Sequence, residues 1–191
     1  MNTNNLLHPH GELTGNQVMV DYLDDNLRRL RRMLAGITDD CLHWQADPES
    51  NSIATNLWHM GRILDVFFTQ LALGLPSDQE SWIAEGWAER TGYDPRGLGR
   101  DGWGSVNEYT LEEVAAMPKF ELLLLLDFIA EVYDNVRVYI LATPMTSLAA
   151  PAPGFSGQFT QYQVISMALA DNIRHQGEIR LIQSLWGRSQ G

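Results

Sequence analysis

The sequence predicts an all-α protein: a four-helix bundle with long crossover connections and a helical, glycine-rich insert between the second and third long helices. Three observations carry that expectation. Four segments place apolar residues at spacings of three and four, the period of one buried helix face. Long stretches rich in glycine and proline join them, and no run shows the alternation of a strand. With 191 residues, 45% of them hydrophobic and 19% charged, the chain suits a single domain over 1–191 with a core of real size.

The first helix opens at Thr14, where Thr14 and Gln17 have the spacing of a capping box and Leu13 and Val18 that of a hydrophobic staple. Val18, Tyr22, Leu23, Leu27, Leu30, Met33, Leu34 and Ile37 then mark its buried face, and residues 1–12 read as a flexible tail. A second helix spans Ser52 to Leu73 on the seam Ile53, Leu57, Met60, Leu64, Phe67 and Leu71, with Gly74 and Pro76 as stop signals. The insert, about 77–117, holds two short capped segments, at Ser77/Glu80 and Thr110/Glu113. Between them Gly92, Gly97, Gly99, Gly102 and Gly104 form a loop long enough to suggest function.

The third long helix starts at Pro118 and ends before Pro144, and its five successive leucines suggest burial on more than one side. The fourth opens with a capping box, Thr160 with Gln163, and a staple, Phe159 with Val164; Gly187 closes it. Its stripe runs Val164, Ala168, Asp171, His175, Ile179, Ile182, Trp186. Two of those core-facing positions are ionisable.

Charge and cysteine content narrow the function classes. Thirteen Lys and Arg against 24 Asp and Glu give a net charge of −11, which repels nucleic-acid backbones and anionic membranes. The start of the sequence lacks the cationic and apolar regions of a signal peptide, and no apolar run is long enough to span a bilayer. The single cysteine, Cys41, excludes an intrachain disulfide, so a cytoplasmic protein is expected.

Asp171 and His175 lie four apart, so both side chains face one way on a helix. An ionised Asp buried beside an imidazole needs hydrogen bonds or a cation to offset its lost hydration. Two readings follow: a hydrogen-bonded pair that specifies packing, or part of a divalent-metal site, with Glu178 three residues on as a further ligand or a base. A metal needs a third ligand from another helix. His59 is the candidate, at the edge of the second helix's apolar face, where it can turn inward or stay half-exposed. His8-Pro9-His10 could bind metal adventitiously. Cys41 lacks an evident electropositive neighbour or helix N-terminal position and reads as an unreactive thiol. Trp82, Trp87 and Trp103 could wall a substrate pocket or pack over the bundle. Arg62 and Arg174 flank the ligands and could orient an anion or form structural pairs.

The segment Asn56-Leu57-Trp58-His59-Met60-Gly61-Arg62-Ile63-Leu64-Asp65 resembles the second-helix histidine motif of the DinB-like metal-binding four-helix bundles. Ile37 to Trp44 is similar to that family's link after helix one, and His175-Gln176-Gly177-Glu178-Ile179-Arg180-Leu181-Ile182 to its last-helix signature. The resemblance implies that His59 and His175 are metal ligands. Where the family pattern has a third histidine, this chain has Asp171, which either gives a two-histidine, one-carboxylate site or marks a lost one.

The family includes thiol-dependent S-transferases and the mycothiol-dependent maleylpyruvate isomerase. It therefore implies a divalent transition metal (zinc, nickel, iron or manganese), a small-molecule substrate attacked by a low-molecular-weight thiol, Glu178 as proton acceptor, and a homodimer. Metal-dependent hydrolysis and a non-catalytic metal-binding or interaction protein are the alternatives.

Overall fold

The computed structural model describes residues 13–191, so the expected tail and its His8-Pro9-His10 motif lie outside the described residues. Among the described residues the architecture is helical, with no strand. Four helices are long: α1 (Gly15–Met33), α3 (Ile53–Val66), α7 (Leu122–Ala142) and α9 (Gln161–Ser189). Five short ones, α2 (Asp39–His43), α4 (Ser81–Ala84), α5 (Trp87–Thr91), α6 (Leu111–Ala115) and α8 (Met145–Leu148), lie in the connections. Helices α1 and α3 each pack on both α7 and α9, which sets α1 and α3 at opposite corners of the bundle. The α1–α3 link therefore joins opposite corners, which is why it is long. No helix among the described residues is long and apolar enough to cross a membrane.

Local signals set most helix ends. Thr14 accepts the Gln17 amide at 3.2 Å, but the Gln17 side chain turns to Asp21 at 2.9 Å, so the capping box is only half made. Leu13 and Val18 are exposed, so no staple forms, and α1 buries Val20, Leu23, Asn26 and Leu30 while Tyr22 faces outward. Ser52 caps α3, which continues through a π-helical turn over Phe67–Ala72 to the expected stop at Gly74. Helix α7 starts at Leu122 rather than Pro118, and of its five leucines Leu125 alone is fully buried; Leu123 is exposed. The Thr160–Gln163 box is complete, and α9 passes Gly187, where the backbone stays helical and faces open space, to reach Ser189.

Helix α3 is the centre of the molecule: thirteen of its fourteen residues are buried. Its apolar seam meets α7 and α9, while the insert covers the face that an amphipathic helix would give to water. Trp58 stacks on Phe120 at 4.9 Å and meets Trp82 edge-on at 4.5 Å, and Trp82 in turn contacts Phe128 at 4.8 Å. Trp82 and Trp87 are thus core residues, not pocket walls.

Gly61 permits the close approach of α3 to α7. A Cβ there would stand 2.6 Å from the Phe128 ring and 3.2 Å from Ile129. Alanine gains about 1 kcal/mol of helix propensity over glycine. Overpacking against a fully buried ring costs about 1–3 kcal/mol. Gly61→Ala should therefore lower stability by up to about 2 kcal/mol in urea unfolding, against the helix-propensity trend; a stabilised variant would contradict this packing.

Candidate metal centre

Because α3 has no solvated face, its polar side chains must find partners inside the protein. They find them in three consecutive carbonyls of the insert. Arg62 Nη2 donates to the Trp103 carbonyl at 2.7 Å, Trp58 Nε1 to Gly104 at 3.2 Å, and His59 Nδ1 to Ser105 at 2.5 Å. Gly104 makes this strap possible: its φ is +64°, and a Cβ would stand 2.3 Å from the Pro95 carbonyl oxygen. Val106 and Glu108, just beyond, also hold positive φ values of 74° and 60°, a strained conformation for a β-branched residue.

One turn further along α3, the fully buried Arg62 lies 3.3 Å from Asp65 and 3.0 Å from Glu80. Asp65 accepts the Ser81 and Trp82 amides at 2.8 and 3.0 Å, tying α4 to α3. One guanidinium serves two buried carboxylates. Burial, opposed by Arg62 and the two amides, pushes Asp65 up to about 6. Arg62 is therefore a structural residue that fixes the insert.

His59, Asp171 and His175 converge as the sequence suggested. His59 is buried rather than half-exposed, and its Nε2 lies 3.0 Å from Asp171 Oδ2. His175 Nε2 is 3.4 Å from the same oxygen, and the two rings meet at 4.4 Å between centroids. The far nitrogens decide the tautomers. His59 Nδ1 faces a carbonyl, so it carries the proton. His175 Nδ1 faces Glu178 Oε2 at 2.8 Å and Asn56 Oδ1 at 2.9 Å, both acceptors, so it also carries the proton. The Asn56 amide is held in that orientation because its Nδ2 donates to the Ser52 carbonyl at 3.0 Å.

In neutral imidazoles with these tautomers, both Nε2 atoms present lone pairs toward a carboxylate oxygen. Three acceptors facing one another repel unless a positive charge sits among them, either a proton on an Nε2 or a metal ion. Zinc bound to such donors at about 2.0–2.2 Å places tetrahedral neighbours roughly 3.3 Å apart. The three ligand atoms lie within 4.8 Å of one another, with the two distances to Asp171 at 3.0 and 3.4 Å. The residues therefore fit a divalent ion held by two imidazoles and one carboxylate. An imidazole whose second nitrogen donates to a carbonyl or carboxylate is also the usual arrangement of a metal-ligating histidine.

The electrostatics couple the three groups. Burial alone would raise Asp171, but hydrogen bonds from His175 and His59 hold it well below the ordinary carboxylate range. Burial alone would lower His175, but Asp171 and Glu178 outweigh that and raise it. Without an ion, the Asp171 carboxylate and a protonated His175 stabilise each other, so a metal ion must displace that proton to bind.

Two cavities reach these residues. One, of about 460 Å³, touches Asp171 and is walled by Phe67, Trp103 and Met167, with Arg100 and Arg174 at its edge. The other, of about 400 Å³, touches His59 and His175. Trp103 therefore walls a cavity, and Arg174 pairs with Asp171. Cys41 does sit in the first turn of α2, contrary to the sequence expectation, with its amide on the Thr38 hydroxyl. Burial nevertheless pushes its thiol up, which keeps it unreactive.

Sequence reasoning missed Asn56, the strap carbonyls and the Arg62–Asp65–Glu80 network. A signal for part of this is present: Asn56, His59, Arg62 and Asp65 recur every three residues, so the polar stripe winds about 60° per step around α3. It starts beside α9 and ends against the insert. Backbone carbonyls leave no such trace.

Known proteins match this geometry at the level of fold and family. A crystal structure of a conserved protein from Enterococcus faecalis is similar, with a TM-score of 0.72 and 21% identity over 90% of this chain and 96% of that one. No curated protein matches the sequence. The profile of the DinB superfamily matches residues 22–179, which takes in α3, the insert and both histidine positions. This chain belongs to the DinB superfamily.

Proposed function

We propose that this protein is a divalent-metal-dependent enzyme carrying out thiol-dependent transfer or isomerisation on a small molecule, with His59, Asp171 and His175 as the ion's ligands. The observation that carries the reading is the convergence of three lone-pair atoms while both histidines are locked at Nδ1. A divalent ion, whether zinc, nickel, iron or manganese, would supply Lewis acidity that lowers the pKa of a thiol or water at its open positions. Asp171 brings one negative charge that neutral histidines would not, which suits a harder ion than an all-imidazole site. Glu178, expected from the sequence as the proton acceptor of the reaction, lies against His175 Nδ1, where it holds the N–H in place and makes the ring a stronger donor. Two cavities at one centre favour a reaction of two reactants over hydrolysis, which needs only one besides water.

Three outcomes test this. Protein made without a histidine tag should hold one zinc per chain, and His59→Ala, His175→Ala or Asp171→Ala should lose it with the helical circular-dichroism signal intact; full retention would sink the assignment. Glu178→Gln should keep the fold but weaken zinc binding about 10–100-fold in competition with a chelator, the range for a lost outer partner of a ligating histidine.

The third outcome is pH dependence. Without metal, the stabilisation from Asp65 and His175, both raised, is complete below their unfolded values and fades as pH rises through the folded ones. That from Asp171, lowered, is present above its unfolded value near 4 and fades as pH falls. For these three groups, metal-free protein should thus melt highest near pH 4 and lose stability as pH rises through about 6, as the Asp65 contribution fades first and that of His175 after it. Zinc must displace protons from His175, so the rise in Tm that zinc causes should grow from pH 5.5 to pH 8. A zinc effect independent of pH would exclude the histidines as ligands.

A further inference from the structure

The two cavities at the centre differ in charge, and a fixed partition lies between them. They share Asn107 and Glu108 as wall. This segment is held at both sides: the Ser105 carbonyl accepts from His59, and the Asn107 carbonyl accepts the Arg100 amide at 2.8 Å. The positive φ values at Val106 and Glu108 are maintained between those anchors.

On one side, the Trp103 cavity carries two arginines. Arg174 uses Nη2 on Asp171 and Arg100 uses Nη2 on Glu108, which leaves most of each guanidinium's five donors free for a ligand. Its apolar wall is formed by Ile63, Phe67, Trp103 and Met167. On the other side, the Tyr109 cavity, the one that touches His59 and His175 and that Leu111 also lines, has no arginine or lysine among its described lining residues, which include Glu49, Asn51 and Thr55. A divalent ion at His59, Asp171 and His175 would add the same positive charge to both. The Trp103 cavity, where cations and carboxylates balance, would become net positive, and the Tyr109 cavity would only approach neutrality.

Resting on the metal-dependent reading above, we propose that the centre draws its two reactants from separate compartments. The Trp103 cavity takes an anionic reactant, a carboxylate on an apolar or aromatic body, and the Tyr109 cavity takes a polar reactant that is neutral or cationic. Arg174 and Arg100 set the charge preference, and Asn107–Glu108 keeps the two apart while both reach the ion.

The test is binding, read by fluorine NMR on zinc-loaded protein with 4-fluorophenylacetate and its uncharged counterpart 4-fluorophenylacetamide. The acid should bind at least tenfold more tightly. Arg174→Gln and Arg100→Gln should each cut that preference severalfold while leaving the amide unchanged. Met167→Trp, which fills the Trp103 cavity, should abolish acid binding, and Leu111→Trp, which narrows the other, should not. Equal affinity for acid and amide, or loss of acid binding in Leu111→Trp alone, overturns the proposal. Zinc content is measured on every sample. Zinc retained without a preference for the acid defeats the compartments and spares the metal centre; wild-type protein that takes up no zinc defeats both. If Arg174→Gln loses zinc, Arg100→Gln decides.

Discussion

The carbonyls of Trp103, Gly104 and Ser105 hold α3 from outside the bundle, and the rest of the molecule is arranged around that contact. A helix with thirteen of fourteen residues buried cannot rely on water for its polar groups, so protein atoms match nearly all of them, the Arg62 Nε excepted. The insert supplies the match. It brings carbonyls to Trp58, His59 and Arg62, and α4 brings amides to Asp65. Truncating one partner in such an arrangement costs more than one hydrogen bond, because the group left behind stays dry. The Arg62–Asp65–Glu80 cluster shows how costly that environment is: even with a guanidinium beside it, Asp65 is pushed up to about 6.

The same strap prepares the chemistry. His59 is not merely buried beside Asp171; the Ser105 carbonyl accepts a hydrogen bond from its Nδ1–H and so turns its Nε2 lone pair inward. Asn56 and Glu178 do the same for His175 from a different direction. Ligands oriented before the ion arrives lose little freedom on binding it, which is the advantage of fixing them from outside. Placing the His59 support on the insert also couples that histidine to the walls of both cavities, since Trp103 and Asn107 lie within a few residues of Ser105.

Much of this was legible in the residues alone. Apolar periodicity gave the four long helices, and the break in that periodicity at Asp171 and His175 marked the site, because ionisable groups on a buried stripe require an explanation. What stayed hidden has physical causes. The α1 face was misjudged because Val18 and Tyr22 satisfy the helical spacing yet point outward; period alone does not fix where a stripe is centred. Burial of His59 could not be read because the covering element is a loop held by backbone carbonyls, which no side chain announces. Trp82 and Trp87 looked equally suited to a pocket, and their pairing with Phe128 and Trp58 is a long-range contact.

The most direct test of the central claim is an anomalous-diffraction map from crystals grown with zinc. The expected result is one strong peak within about 2.0–2.2 Å of His59 Nε2, His175 Nε2 and an Asp171 carboxylate oxygen, the distances zinc takes to such donors. The His59 Nδ1 to Ser105 contact should be unchanged. A peak bound through either Nδ1, a peak elsewhere, or Asp171 turned away from the ion would contradict the account.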